Sequence, residues 1–162
     1  MMRRRNIPRS GVLFRMAAIV CLSLGIVGAP SSARADPQPP PQIVHLQNVA
    51  TGSCAVDAWG LPQAGTCGTY AEATWYISWE GWARSGFGNC LSIDPRDPSS
   101  VITAPCDIGH RLQQWNYEWA DSSSRRLRSL ATGQCIGHSP PNYLLQMMDC
   151  GSLHARWRPW ST

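Results

Sequence analysis

Lysine is absent from residues 36–162, and positive charge of any kind is sparse there: eight arginines stand against ten carboxylates, a formal charge of −2. The +4 of the whole chain comes from six arginines among the first 34 residues. With no strong basic field, nucleic acid and anionic lipid are not expected as partners. Long apolar runs are missing too. Met16–Val27 holds twelve residues without a charge, against about 20 needed to span a bilayer. The motifs of several enzyme classes are also absent: no Gly-x-Ser-x-Gly, His-Glu-x-x-His, phosphate-binding glycine loop or calcium loop occurs. No Cys-x-x-Cys or closely spaced histidine pair offers a zinc site. His45, His110, His138 and His154 fall at unrelated positions, as surface or hydrogen-bonding residues do. No enzyme activity, cofactor or metal is expected.

What is present begins with an export signal. Arg3, Arg4, Arg5, Arg9 and Arg15 form a positive leader, Met16–Val27 the apolar stretch, and Ala33-Arg34-Ala35 a small-x-small cleavage site. Residues 1–35 are therefore expected to be a signal peptide and the protein to be secreted. Residues 36–42, Asp-Pro-Gln-Pro-Pro-Pro-Gln, read as a stiff proline-rich leader. The remainder, 43–160, suffices for one domain with a modest core.

Cleavage would remove Cys21 and leave Cys54, Cys67, Cys90, Cys106, Cys135 and Cys150. An even number in a small exported domain reads as a disulfide framework, with fifteen pairings open. An internal repeat chooses among them. Leu46-Gln-Asn-Val-Ala-Thr-Gly-Ser-Cys54 aligns with Leu127-Arg-Ser-Leu-Ala-Thr-Gly-Gln-Cys135, and Gly88-Asn-Cys90 keeps the Gly-x-Cys. Each first cysteine is followed by a second and then by a tryptophan: Trp75, Trp115 and Trp157. Three copies at about forty-residue spacing are a true periodicity, spanning about 43–81, 82–123 and 124–160. The simplest pairing stays inside each copy: Cys54–Cys67, Cys90–Cys106 and Cys135–Cys150.

The copies read as β-structure. Ile43–Val49, Val101–Ala104 and Tyr143–Met148 are short apolar or alternating runs bounded by turn residues. Arg125, Arg126 and Arg128 beside a serine run read as a solvated turn, and Asp94-Pro-Arg-Asp97 as another. Three β-rich units are too few for a propeller and leave no room for solenoid caps. An all-β fold, a β-trefoil of three repeats with one disulfide each, fits the arithmetic best.

At this point the residues resemble a family. Gln113-Gln-Trp115 carries the Gln-x-Trp signature of ricin-type β-trefoil lectin repeats, Gly88-Asn-Cys-Leu91 matches the strand that opens such repeats, and Gln146 falls at the family's glutamine before the second cysteine. The resemblance covers about Ile43 to Trp160. It implies a binding module, with Trp75, Trp115 and Trp157 as core aromatics. It also implies where a sugar would be held: an acid two residues after the first cysteine and a ring two before the second. The acid positions here hold Val56, Ser92 and Gly137, and the ring positions Gly65, Ala104 and Met148. Gln113 matches a polar position before the tryptophan, whereas Ala73 and Ala155 replace it in the other copies. Asp57 and Asp94 lie one and two residues beyond the acid position, so Asp94 with Gln113, and Asp57, are the candidate ligand contacts. Trp59, Trp79, Trp82, Trp119 and Trp160 are left over. They either cover hairpins or form a patch suited to glycans or a protein partner. Two classes of function follow: a secreted lectin-like module for glycans, or a trefoil that binds a secreted or cell-surface protein. The latter would be a targeting subunit of a secreted toxin complex, as in the ricin-like binding subunits of cytolethal distending toxins, or an enzyme inhibitor.

Overall fold

Three glycines explain why the Gly-x-Cys motif recurs. In the computed structural model, which describes residues 40–160, Gly52, Gly88 and Gly133 have φ of 73°, 92° and 74°, a conformation that costs a glycine little and other residues more. Each closes a tight turn, its N–H donating to the carbonyl of Asn48, Ser85 or Ser129 at 2.9, 2.8 and 2.9 Å. The chain then enters a strand at a buried cysteine: Cys54, Cys90 or Cys135. The expected signal peptide, 1–35, and most of the proline-rich leader lie outside the described residues.

Thirteen short strands are found among the described residues. A leading strand β1 (Gln42–Val44) precedes three groups of four. The first is β2 (Leu46–Asn48), β3 (Cys54–Ala58), β4 (Leu61–Gly65) and β5 (Trp75–Ile77). The second is β6 (Ala83–Ser85), β7 (Cys90–Ile93), β8 (Val101–Ala104) and β9 (Trp115–Trp119). The third is β10 (Arg125–Ser129), β11 (Cys135–Gly137), β12 (Gln146–Met148) and β13 (Trp157–Pro159). The outer members of each group, together with β1, form a ring of antiparallel pairs: β13 with β2, β1 with β5, β5 with β6, β9 with β10, and β10 with β13. Where β6 and β9 would meet, the Trp115 N–H donates to the Gly81 carbonyl at 2.6 Å.

The inner members form three hairpins, β3–β4, β7–β8 and β11–β12, and the hairpins hold one another. Thr103 N–H donates to Gly60 O, Met147 N–H to Ser99 O and Leu145 N–H to Pro62 O, all at 2.8–2.9 Å. This is a three-fold closed all-β architecture, a β-trefoil, and closure leaves few unpaired strand edges.

Disulfides join Cys54–Cys67, Cys90–Cys106 and Cys135–Cys150, one per group. The three tryptophans are fully buried among Leu46, Leu91, Leu127 and Ile136. Each indole N–H also has a partner, which a buried donor requires. Trp75, Trp115 and Trp157 donate to the carbonyls of Ala55, Leu91 and Ile136 at 2.9, 3.0 and 3.1 Å. Each acceptor directly follows the first cysteine of its group. The recurring Gly-x-Cys and Trp are thus two ends of one repeated contact.

Two local expectations need correction. Residues 125–128 are not a turn: they lie in β10, with Leu127 buried, Arg125 over the Tyr117 and Trp119 rings, Arg126 paired with Glu118 and Arg128 donating to the Gly133 carbonyl. The leader is not wholly a spacer, because Gln42 already pairs with Ile77 in the sheet. Ile43–Val49 and Tyr143–Met148 also form shorter strands than expected, the first interrupted at His45, whose Nδ1 lies 3.1 Å from the Ala73 carbonyl.

Candidate ligand-binding site

The hairpin positions that would hold a sugar in the familiar way are occupied by the protein itself. In the first hairpin a Cβ added at Gly65 would fall 2.8 Å from Val56 Cγ2, so the valine fills the space a ring would need. In the second, Ser92 is buried and donates to the Ile93 carbonyl at 3.0 Å. In the third, a Cβ at Gly137 would run into the Met148 sulfur and the His154 carbonyl. Neither a carboxylate nor an aromatic ring stands at any of the six positions.

No hydrogen bond joins the residues singled out from sequence, and each is engaged locally or by a neighbouring repeat. Asp94 is half-buried, and its Oδ1 accepts the Arg96 N–H at 2.9 Å, as in an ordinary Asx turn. Gln113 is buried at the end of a short 3₁₀ turn, Arg111–Gln113. Its amide donates to the Pro105 carbonyl at 3.0 Å and accepts the Asp107 N–H at 2.8 Å, clamping the loop after Cys106. Both ends of Gln113 are therefore engaged by backbone, and no hydrogen bond joins it to Asp94. Asp57 is fully buried. Strand alternation turns it to the face of β3 opposite Val56. Its Oδ1 accepts from Gly60 N–H and the Thr103 hydroxyl, both at 3.0 Å, while Oδ2 has no partner.

Three concave surfaces stand out among the described residues. The first is a groove of about 620 Å³ bordered by Pro40, Trp79, Tyr117, Glu118 and Arg125. Arg125 lies 3.7 Å from the Trp119 ring centroid and 4.9 Å from that of Tyr117, within cation–π range of both rings. Burial pushes the Tyr117 phenol above its ordinary range, an effect Arg125 opposes. The second, about 400 Å³, adjoins His138, whose nitrogens are occupied: Nδ1 lies near Thr51 Oγ1 and Ser53 Oγ at 3.2 and 3.3 Å, and Nε2 2.8 Å from the Asn142 carbonyl. The third, about 530 Å³, is lined by Asp57, Trp59, Gly60, Phe87, Asn89 and Thr103.

Of the tryptophans not in the core, Trp59, Trp79 and Trp119 are 89%, 56% and 59% exposed, and Trp82 and Trp160 are half-buried. Trp82 is tied down by a 3.0 Å bond from its indole N–H to Glu80, and Trp160 by an edge contact with His45. Among the described residues no cluster of three histidine, cysteine or acidic side chains is placed to hold a metal.

No family model matches the sequence, and no curated protein does. Solved structures do match in fold. The hemolytic lectin CEL-III superposes with a TM-score of 0.63 at 19% identity over 75% of this chain, which spans 33% of that lectin's length. The ricin B-like lectin of Macrolepiota procera, in complex with lactose, gives 0.62 at 17% identity, covering 74% of this chain and 95% of the lectin. The cytolethal distending toxin of Actinobacillus actinomycetemcomitans gives 0.59 at 17% identity, with 72% of this chain and 89% of the toxin chain covered. At such identities the likeness is one of fold.

Proposed function

We propose that this ricin-type β-trefoil is a secreted carbohydrate-binding module whose familiar sugar positions are degenerate, so that any glycan is held elsewhere on its surface. The observation that carries the reading is the contrast between occupied hairpin pockets and exposed tryptophans. Burying an exposed indole against a ligand removes large apolar area from water, and a protein keeps such area uncovered at a cost in solubility. Three disulfides and an export signal agree with an oxidising, extracellular setting. The known lectins of this fold, including the one solved with lactose, supply the ligand class. We read the protein as a binder rather than a catalyst, and assign Gln113 to the fold rather than to a ligand.

A glycan array probed with residues 36–162 tests this. Binding to at least one glycan class is expected. Silence across the array would instead favour a protein-binding trefoil, for which the likeness to the distending toxin and the Trp79–Tyr117–Arg125–Trp119 surface speak.

A further inference from the structure

The turn between β3 and β4 is built against local preference. Its two residues, Trp59 and Gly60, have φ of 57° and 97°. Asn-Gly is the sequence such a turn favours. Trp59 is the one non-glycine residue with positive φ among the described residues, and it is also 89% exposed. A bulky aromatic in this conformation costs energy and gains almost no burial in return, a pattern typical of residues held for a ligand.

What lies under it is equally unusual. Trp59 stacks on Phe87 of the next repeat, centroids 5.3 Å apart and planes 19° from parallel. The pair borders a cleft that Asp57 also lines, and Asp57 Oδ2 is a buried carboxylate oxygen without a hydrogen-bond partner. Unsatisfied buried acceptors are rare and costly. Asn89, on the cleft wall, has a side-chain amide free of hydrogen bonds among the described residues. The pseudo-symmetric places do not repeat the arrangement. Three residues beyond the first cysteine stand Ile93 in the second repeat, which is apolar, and His138 in the third, whose ring nitrogens are occupied.

The geometry points to a ligand site between the first hairpin and the second repeat that takes one neutral pyranose of a glycan, its apolar face on Trp59 and adjacent hydroxyls on Asp57 and Asn89. One hydroxyl donates to Asp57 Oδ2 and a neighbour accepts from the Asn89 amide. A quaternary ammonium fits less well, because two nearly parallel rings present a flat ledge rather than a cage, and such an ion has no donor for Asp57. The site lies on the opposite face of β3 from the familiar acid position. The inference rests on the carbohydrate-binding reading above.

The test is a glycan array, followed by titration of the best glycan, on residues 36–162 as wild type, Trp59→Asn, Asp57→Asn and the control Tyr143→Ala, an exposed ring that does not line this cleft. Asparagine suits the left-handed turn, so W59N should melt no lower than wild type yet lose at least about tenfold in affinity, the equivalent of about 1.4 kcal/mol. D57N keeps an acceptor for Gly60 and Thr103 but puts a donor where Oδ2 was, and should lose a comparable factor; if it folds poorly, W59N decides alone. Wild-type affinity in W59N overturns the site while leaving the carbohydrate reading intact. No glycan bound by wild type overturns both.

Discussion

The Thr103 hydroxyl, on the second hairpin, donates to Asp57 Oδ1, on the first, at 3.0 Å across a fully buried boundary. The same oxygen accepts the Gly60 N–H, so one carboxylate fixes both a tight turn and the junction of two repeats. Asp57→Ala should cost about 1–3 kcal/mol, because it orphans the buried Thr103 hydroxyl and the part-buried Gly60 N–H. Thr103→Val, which strips a hydrogen bond from a charged acceptor, should cost about 1.5–3 kcal/mol. The double variant should cost clearly less than the two summed, since either change alone breaks the shared bond. Urea denaturation of the four proteins checks this, and additive losses would show that the two side chains are not coupled.

Removing one disulfide as a pair of alanines should cost about 3 kcal/mol whichever repeat is chosen. The bridges close sequence separations of 13, 16 and 15 residues. The entropy of loop closure varies only logarithmically with length, so the three variants should agree within about 0.5 kcal/mol. The first cysteine of each pair is buried to the same degree, which equalises the packing loss. Losing all three removes about 9 kcal/mol, within the whole stability range of a domain. Full reduction should therefore unfold the protein, as the far-ultraviolet circular dichroism spectrum in excess dithiothreitol would show.

The scaffold was legible in the sequence because one contact is written three times: a glycine that turns the chain, a cysteine that enters the core, and a tryptophan whose N–H returns to the next carbonyl. Periodicity exposes such a contact without any geometry. The site was less legible. Asp57 could be named as a candidate, but its partner Thr103 is 46 residues away and Phe87 belongs to another repeat. Alternation along β3 does carry a signal, since Val56 and Asp57 must face opposite ways, and so does Trp-Gly in a position suited to Asn-Gly. The Arg125–Arg128 run misled because charge suggests a turn, whereas long arginine stems can lie across aromatic rings and leave Leu127 to the core. What sequence could not show of Gln113 is that both ends of its amide are engaged by the loop after Cys106.

Position should outweigh residue type among the tryptophans. Trp115→Ala and Trp157→Ala should each cost about 3–5 kcal/mol through the cavity left behind, and each also orphans a buried carbonyl, that of Leu91 or Ile136. Trp59→Ala, on an open turn, should stay within about 0.5 kcal/mol of wild type. The same contrast applies to the polar candidates: Gln113→Ala should destabilise by about 1–3 kcal/mol through two broken loop contacts, and Asp94→Ala by no more than about 0.5 kcal/mol. Chemical denaturation followed by tryptophan fluorescence would measure all five. A Gln113→Ala protein as stable as wild type would free that side chain for a ligand role.

Two turns share the pattern Asp-x-Ser-Ser, and their aspartates should set the acid limit of the fold. Asp121 accepts from the Ser124 hydroxyl at 2.7 Å and from the Ser123 and Ser124 N–H groups at 2.8 Å, with Arg156 at 3.1 Å. Asp97 accepts from the hydroxyls of Ser100 and Ser99 at 2.6 and 2.7 Å and from the Ser99 N–H at 3.0 Å. Bonds to the ionised form hold both carboxyls below their usual range, Asp121 furthest, with the Ser124 hydroxyl its largest cause and the Ser100 hydroxyl that of Asp97. A carboxyl depressed by folding stabilises the native state above its unfolded value, about 3.9. That contribution fades as pH falls from there toward the folded value. The urea midpoint should thus be flat from neutrality to about pH 5 and decline below about pH 4. Asp97→Asn with Asp121→Asn should lower the midpoint at neutral pH and flatten the acid decline, because the amide no longer titrates. An unchanged acid slope in that double variant would place the pH sensitivity in other carboxylates.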